Sequence, residues 1–285
     1  MTSGPFSWDT LQVPYQAVFL QPHRDDICFS LGAFAARQRD CLMLTIFTVS
    51  AWVHPKQFKV RPSSDVITKM RMAEDQAFAD DAGLSLHFMA LPEAPLMGWR
   101  SRDLSRAIEN YRRIEAPLLA QLMTVANDRV GADRPWLFCP ATIGGHVDHA
   151  AALFTVLANI KKLSTNFRIA FYEDLHYASR WRVRMAGLAR FFAETSDIKL
   201  KRWIFPMDEN SIKRKCALIA HYGSQIAQAP TNLGDYSPST IPRTSPHEAI
   251  WTAEEPPEGF RAAPQIEVGE YLAKCLARLG RKTLA

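Results

Sequence analysis

Two short apolar runs, 17–20 and 42–49, flank a stretch of helical periodicity, and this unit limits the fold more than any other feature of the chain. The first run, Ala17-Val18-Phe19-Leu20, stops at Pro22, and the second is rich in β-branched residues, so both read as buried strands. Between them, within 30–39, Leu31, Phe34 and Ala35 recur at helical spacing. Strand, loop, helix and strand in this order describe a crossover between parallel strands, because a two-residue turn cannot return a chain to a parallel neighbour.

The alternation continues. A helix is predicted over 65–82 with Gly83 at its C-cap, then a strand at 86–91, a helix over 104–127 and a strand at 136–139 that Pro140 ends. A helix over 149–163, strands at 167–172 and 199–205 and a helix over 211–225 follow. The Pro-, Ser- and Thr-rich segment 229–264 is expected to be an irregular loop, with a last helix near 267–279. The expected fold class is α/β: a single doubly wound, Rossmann-like domain with a mainly parallel sheet and an elaborated C-terminal region. No internal repeat and no linker divides the chain.

Composition narrows the class. With 285 residues, 47% of them hydrophobic, the chain can bury a substantial core. Its net charge of +5 comes from scattered basic residues without a long run interleaved with aromatics, so nucleic acid is not expected as a partner. The cysteines, Cys28, Cys41, Cys139, Cys216 and Cys275, are odd in number and widely spaced, which suits free thiols. No stretch approaches the roughly 18 consecutive apolar residues of a membrane span. Residues 1–9 lack the order of a signal peptide, so a cytoplasmic location is expected.

Chemistry concentrates in two loops. Pro22-His23-Arg24-Asp25-Asp26 follows the first strand and His146-Val147-Asp148-His149 follows the fourth. Open α/β sheets place ligands beyond the carboxyl ends of their strands, so the two loops are expected at one rim. Zinc takes histidine nitrogen and carboxylate oxygen, and a catalytic zinc keeps three protein ligands and one open position. His23, Asp25, Asp26, His146, Asp148 and His149 offer more groups than three positions need, which leaves spare groups for acid, base and supporting work. Taken singly, Asp25-Asp26 reads as a helix cap and His23 as a loop histidine.

The pair of motifs, Pro-His-x-Asp-Asp near the N-terminus and His-x-Asp-His more than a hundred residues later, resembles the LmbE/PIG-L superfamily of zinc N-deacetylases. Arg71-x-x-Glu74, Leu91-Pro92-Glu93 and the stretch from Lys215-x-Ala217 to Ser224-Gln225 are similar to further parts of that family. The resemblance covers about 14–226 and implies one domain over 1–285, with 227–285 as a C-terminal extension. It implies one zinc ion, or another divalent metal, on His23, Asp26 and His149, with Asp25 as the base that takes a proton from the attacking water. His146 is expected as the acid that protonates the leaving amine, Asp148 as the group that holds the ring of His146 or His149, and Arg71 as a substrate-orienting residue. The implied substrate is a small molecule, an N-acylated amino sugar or related glycoconjugate; the oligomeric state is left open.

The chain departs from the family where some members carry Tyr two residues before the first histidine of the second motif. Here that position is Gly144, followed by Gly145, which suggests room for a bulkier substrate. Arg24 and Cys28 are unusual too, and the basic and aromatic residues at 99–102 and 177–184 are candidates for a substrate entrance. Two rival readings stay open: an amidase for a different amide, and a non-catalytic carbohydrate-binding relative. A metallophosphoesterase would require more bridging carboxylates than the chain assembles.

Overall fold

A computed structural model describes residues 15–127, 133–240 and 243–263. The chain runs β1 (Ala17–Gln21), α1 (Asp26–Ala35), β2 (Cys41–Val49), α2 (Ser64–Ala82), β3 (Ser85–Pro92), α3 (Ala107–Asn127), β4 (Trp136–Pro140), α4 (Val147–Ala158), α5 (Ile160–Ser164), β5 (Arg168–Tyr172), α6 (Trp181–Glu194), β6 (Lys201–Pro206), α7 (Glu209–Ile219), β7 (His247–Thr252) and β8 (Arg261–Ala262). The strands form one sheet in the order β3-β2-β1-β4-β5-β7-β6-β8. Pairing is parallel from β3 to β5 and antiparallel beyond. The doubly wound α/β architecture expected from the alternation is what forms.

The parallel strands β1 and β4 are buried along their whole length, which is why their sequences are continuous apolar runs rather than alternating ones. Phe19 of β1 stands opposite Phe138 of β4, and their rings stack at 4.9 Å. Helix ends are chemically marked. Ser63 caps α2 by accepting from the Val66 N–H, Gly83 closes it at φ 71°, and Asp208 caps α7 through the Ser211 N–H. In α3, Ile114, Leu118 and Leu122 recur every four residues as a buried stripe.

The expected irregular loop over 229–264 is corrected by β7, which lies inside the sheet between β5 and β6. Its six residues are all buried although three of them, His247, Glu248 and Thr252, are polar. Partners make that burial tolerable. Glu248 accepts from Lys215 Nζ at 2.7 Å and from the backbone N–H groups of Ala33 and Phe34, each at 2.8 Å. Those two donors sit just past Leu31, where α1 breaks from helical geometry and would otherwise leave them without acceptors. His247 Nε2 meets Arg202 at 3.0 Å, and Arg202 in turn shares Glu173 with Arg184. Helix α6 was not predicted; three arginines and Gly187 dilute its apolar stripe of Met185, Leu188 and Phe191. The helix expected near 267–279 lies outside the described residues. Among the described residues, no helix is long and apolar enough to cross a membrane.

Two outcomes follow from these buried charges. Lys215→Met strands Glu248 in the core and is expected to cost about 3–5 kcal/mol, read by chemical denaturation. Burial, with Arg202 adding, pushes the His247 imidazole down to about 4, below its ordinary 6.5. The fold favours the neutral ring, so this contribution is complete above pH 6.5 and is lost as pH falls towards 4. The melting temperature of His247→Gln is therefore expected to fall less steeply than that of wild type across this window.

Candidate metal centre and catalytic cavity

The parallel pairing of β1 with β4 brings both motif loops to one rim, where a cavity of about 300 Å³ opens. His23, Asp25, Asp26, Arg71, His146 and His149 all line it. The loop after β1 is a tight turn in which the His23 N–H donates to Asp26 Oδ2 at 2.7 Å, fixing the carboxylate that begins α1. Asp25 sits at φ 133°, a backbone region that L side chains rarely adopt, and its side chain caps nothing. The strain frees its carboxylate to face the cavity and Arg71, 3.5 Å away.

Three potential ligand atoms form a small triangle. His149 Nε2 lies 3.3 Å from His23 Nδ1 and 3.3 Å from Asp26 Oδ2, and His23 Nδ1 lies 3.7 Å from that same oxygen. Bonds of the ordinary zinc–nitrogen length, arranged tetrahedrally, separate ligand atoms by about 3.4 Å. The His146 ring is 4.6 Å from that of His23 and 5.4 Å from that of His149, so the three histidines form a second group that could hold a metal. Charge fits a cation as well. Burial opposes a positive ring at His149, but Asp26 and Asp174 outweigh it and push the imidazole up to about 9. The neighbouring carboxylates thus favour positive charge at the nitrogen a metal would take.

The supporting partners differ from the expected ones. Asp148 holds neither His146 nor His149: its Oδ2 bonds His23 Nε2 at 2.9 Å, and it stands 3.8 Å from His146 Nδ1. Asn110 Nδ2 at 2.7 Å and the Ala94 N–H at 3.0 Å complete its shell. Burial works against its charge, but the His23 hydrogen bond and charge hold it down at about 2. His149 is oriented instead by Asp174, whose Oδ1 meets Nδ1 at 2.5 Å. Asp174 follows β5 and was missed because no motif marks it; a carboxylate just beyond a predicted strand end at the same rim was the available signal. His146 is the N-cap of α4, its Nδ1 accepting from the Asp148 N–H at 3.2 Å, which leaves the proton of the neutral ring on Nε2. Burial and the neighbouring His23 drive its pKa well below the ordinary value.

Arg71 does not pair with Asp75 one turn on. It bonds Glu93 at 2.6 Å, the Arg24 carbonyl at 2.7 Å and Ser50 Oγ at 3.3 Å, while Asp75 serves Gln21 and Tyr222. Arg24 is buried with its guanidinium on the Thr48 carbonyl and over the Phe88 ring. Glu74 accepts from both the N–H and the hydroxyl of Ser224 at 2.6 Å, tying α2 to the loop that brings Gln225 to the cavity.

The room expected at Gly144-Gly145 is filled. A Cβ on Gly144 would fall 2.4 Å from Cδ2 of Tyr177, and one on Gly145 would fall 3.1 Å from an Arg190 nitrogen. From the two basic and aromatic clusters, Ser101, Arg102 and Tyr177 reach the cavity, whereas Arg184 is buried on Glu173. Gly187 lets α6 descend on the second motif's loop; a Cβ there would sit 2.3 Å from the Ile143 carbonyl oxygen.

No family model matches the chain. A 2'-N-acetylparomamine deacetylase of Streptomyces fradiae is 29% identical over 172 residues, and the aligned part spans 58% of each protein. Among solved structures, the pseudoaglycone deacetylase Dbv21 superposes with a TM-score of 0.58 at 17% identity, covering 84% of this chain and 97% of that one. Teicoplanin deacetylase Orf2, in a zinc-inhibited form, gives 0.57 at 15% identity, covering 87% and 99%. The chain is thus similar in sequence to an N-acetylparomamine deacetylase over part of its length and shares its fold with these deacetylases.

Proposed function

We propose that this protein is a metal-dependent N-deacetylase that removes the acetyl group from the nitrogen of an amino sugar or a related glycoconjugate. The observation that carries the reading is the triangle of His23, Asp26 and His149 with the strained Asp25 beside it, open to a cavity large enough for a sugar. The likeness to an N-acetylparomamine deacetylase and the fold shared with deacetylases of glycosylated antibiotics support the substrate class. We read His23, Asp26 and His149 as the metal ligands and zinc as the metal they hold. A bound zinc ion supplies Lewis acidity towards the amide carbonyl and towards water.

The chain's own groups carry the protons. Burial pushes the Asp25 carboxyl up to about 8; Arg71 opposes the rise and Asp26 adds to it. A carboxylate poised near neutrality takes a proton from the attacking water and can give it up again within the working range. Arg71 fixes that carboxylate from one side and has an edge on the cavity for a substrate oxygen. His146, with its depressed pKa, surrenders a proton readily once it has one, which suits delivery to the departing amine nitrogen. Asp148, 3.8 Å from its Nδ1, favours the charged ring during that transfer.

Elemental analysis is expected to find one divalent metal per chain, and a chelator to abolish acetate release from N-acetylated amino sugars; a chain that binds no metal overturns the proposal. Asp25→Asn preserves shape and tolerates the positive φ, so it is expected to lower kcat by about 10²–10⁴ while metal content stays at wild-type level. Asp174→Ala leaves all three ligands in place but frees the His149 ring, and is expected to weaken metal affinity by about 10–100-fold in a competition titration.

A further inference from the structure

Gly144 stands two residues before His146, and the space its side chain would occupy is taken by an aromatic ring from another loop. The Cβ of any residue at 144 would fall between 2.4 and 2.7 Å from Cδ2, Cγ and Cε2 of Tyr177. The ring therefore lies against the backbone of the loop that carries the second motif. Two further contacts fix it: the His149 ring stands at 6.4 Å and 80° to it in a T-shaped pair, and the Arg102 guanidinium lies over it at 5.7 Å.

A ring held this way keeps its hydroxyl in a fixed place. Tyr172 and Tyr222, both fully buried, spend theirs on the Leu20 carbonyl at 3.0 Å and on Asp75 at 2.7 Å. The Tyr177 hydroxyl has no hydrogen-bond partner among the described residues, and its side chain lines the cavity together with His23, Asp26, His146 and His149. Several neighbouring donors are engaged elsewhere: two Arg71 nitrogens on Glu93 and the Arg24 carbonyl, His23 Nε2 on Asp148, and Gln225 Nε2 on Ser224 Oγ. Attack on an amide places negative charge on the carbonyl oxygen, and a fixed donor aimed at that oxygen stabilises the transition state more than the ground state.

We propose that Tyr177 is a catalytic residue, its O–H donating to the amide carbonyl oxygen as that oxygen gains charge. The proposal rests on the N-deacetylase reading above. Gly144 is then the permissive residue that leaves the phenol its place.

Tyr177→Phe removes only the hydroxyl and keeps the ring on Gly144. It is expected to lower kcat for acetate release by about 10²–10³ with KM and metal content little changed. Gly144→Ala, which pushes the ring away, is expected to lose kcat in the same direction, whereas a further Gly144→Ala change in the Tyr177→Phe background adds little. A Tyr177→Phe protein that keeps kcat within about twofold of wild type overturns the assignment. If the wild type releases no acetate from any N-acetylated amino sugar, the deacetylase reading itself falls, and binding of acetate to the metal-loaded protein, followed by NMR, decides the role of Tyr177. Acetate held about fivefold more weakly by Tyr177→Phe supports a hydroxyl that reads a carboxyl or carbonyl oxygen; equal affinity overturns it.

Discussion

Everything at the site depends on the parallel pairing of β1 with β4. Phe19 lies opposite Phe138, so the turn after Gln21 and the turn after Pro140 leave the sheet at the same edge. The loops then diverge, one towards α1 and the other towards α4, and the crevice between them is the switch point where such sheets bind ligands. A slip of one residue in this register would turn every side chain of β1 to the other face. The apolar character of both strands on both faces and the ring stack of Phe19 on Phe138 hold the register.

On that frame the site is an electrostatic problem with a narrow solution. Asp25, Asp26, Glu93, Asp148 and Asp174 crowd against three histidines and Arg71. Buried carboxylates without partners are costly, and here each has a cationic or donor group beside it. Arg71 takes Glu93 and steadies Asp25; His23 takes Asp148; His149 takes Asp174. Asp26 Oδ2 meets an imidazole nitrogen of both His23 and His149 besides the His23 N–H, which is the environment of a group that shares a positive ion with those rings.

The parts of this arrangement that were legible in the sequence are those where one local pattern carries the meaning. Continuous apolar runs gave β1, β2 and β4, Gly83 gave the end of α2, and histidine and aspartate at short spacing after strands marked the two loops that line the cavity. What remained hidden depends on contacts between distant segments. β7 is six residues long in a Pro-, Ser- and Thr-rich surrounding, and it carries His247 and Glu248, whose partners Arg202, Lys215 and the α1 backbone come from distant segments. Asp148 was expected on a nearby ring because sequence proximity suggests it, yet its carboxylate points across the crevice to His23, 125 residues away. Asp174 belongs to no motif, and only the sheet order brings the end of β5 beside β4.

The glycines of the second motif's loop show how such hidden contacts set the chemistry. Read alone, Gly144-Gly145 suggests an open, yielding segment. In the fold, glycines at two separate places allow close approach to that loop: Gly187 admits the Ile143 carbonyl against α6, and Gly144 admits the Tyr177 ring. The Ile143 N–H donates to Asp174 at 2.9 Å, so the same carboxylate that orients His149 also anchors the loop that presents His146. Strain at Asp25 and at Thr142, both at positive φ, is tolerable because these contacts over-determine the backbone around them. A site clamped in this way has its donors in position before a ligand arrives, and preorganisation of that kind is what makes electrostatic stabilisation effective in catalysis. Small residues here are therefore not gaps in the site but the condition for its rigidity.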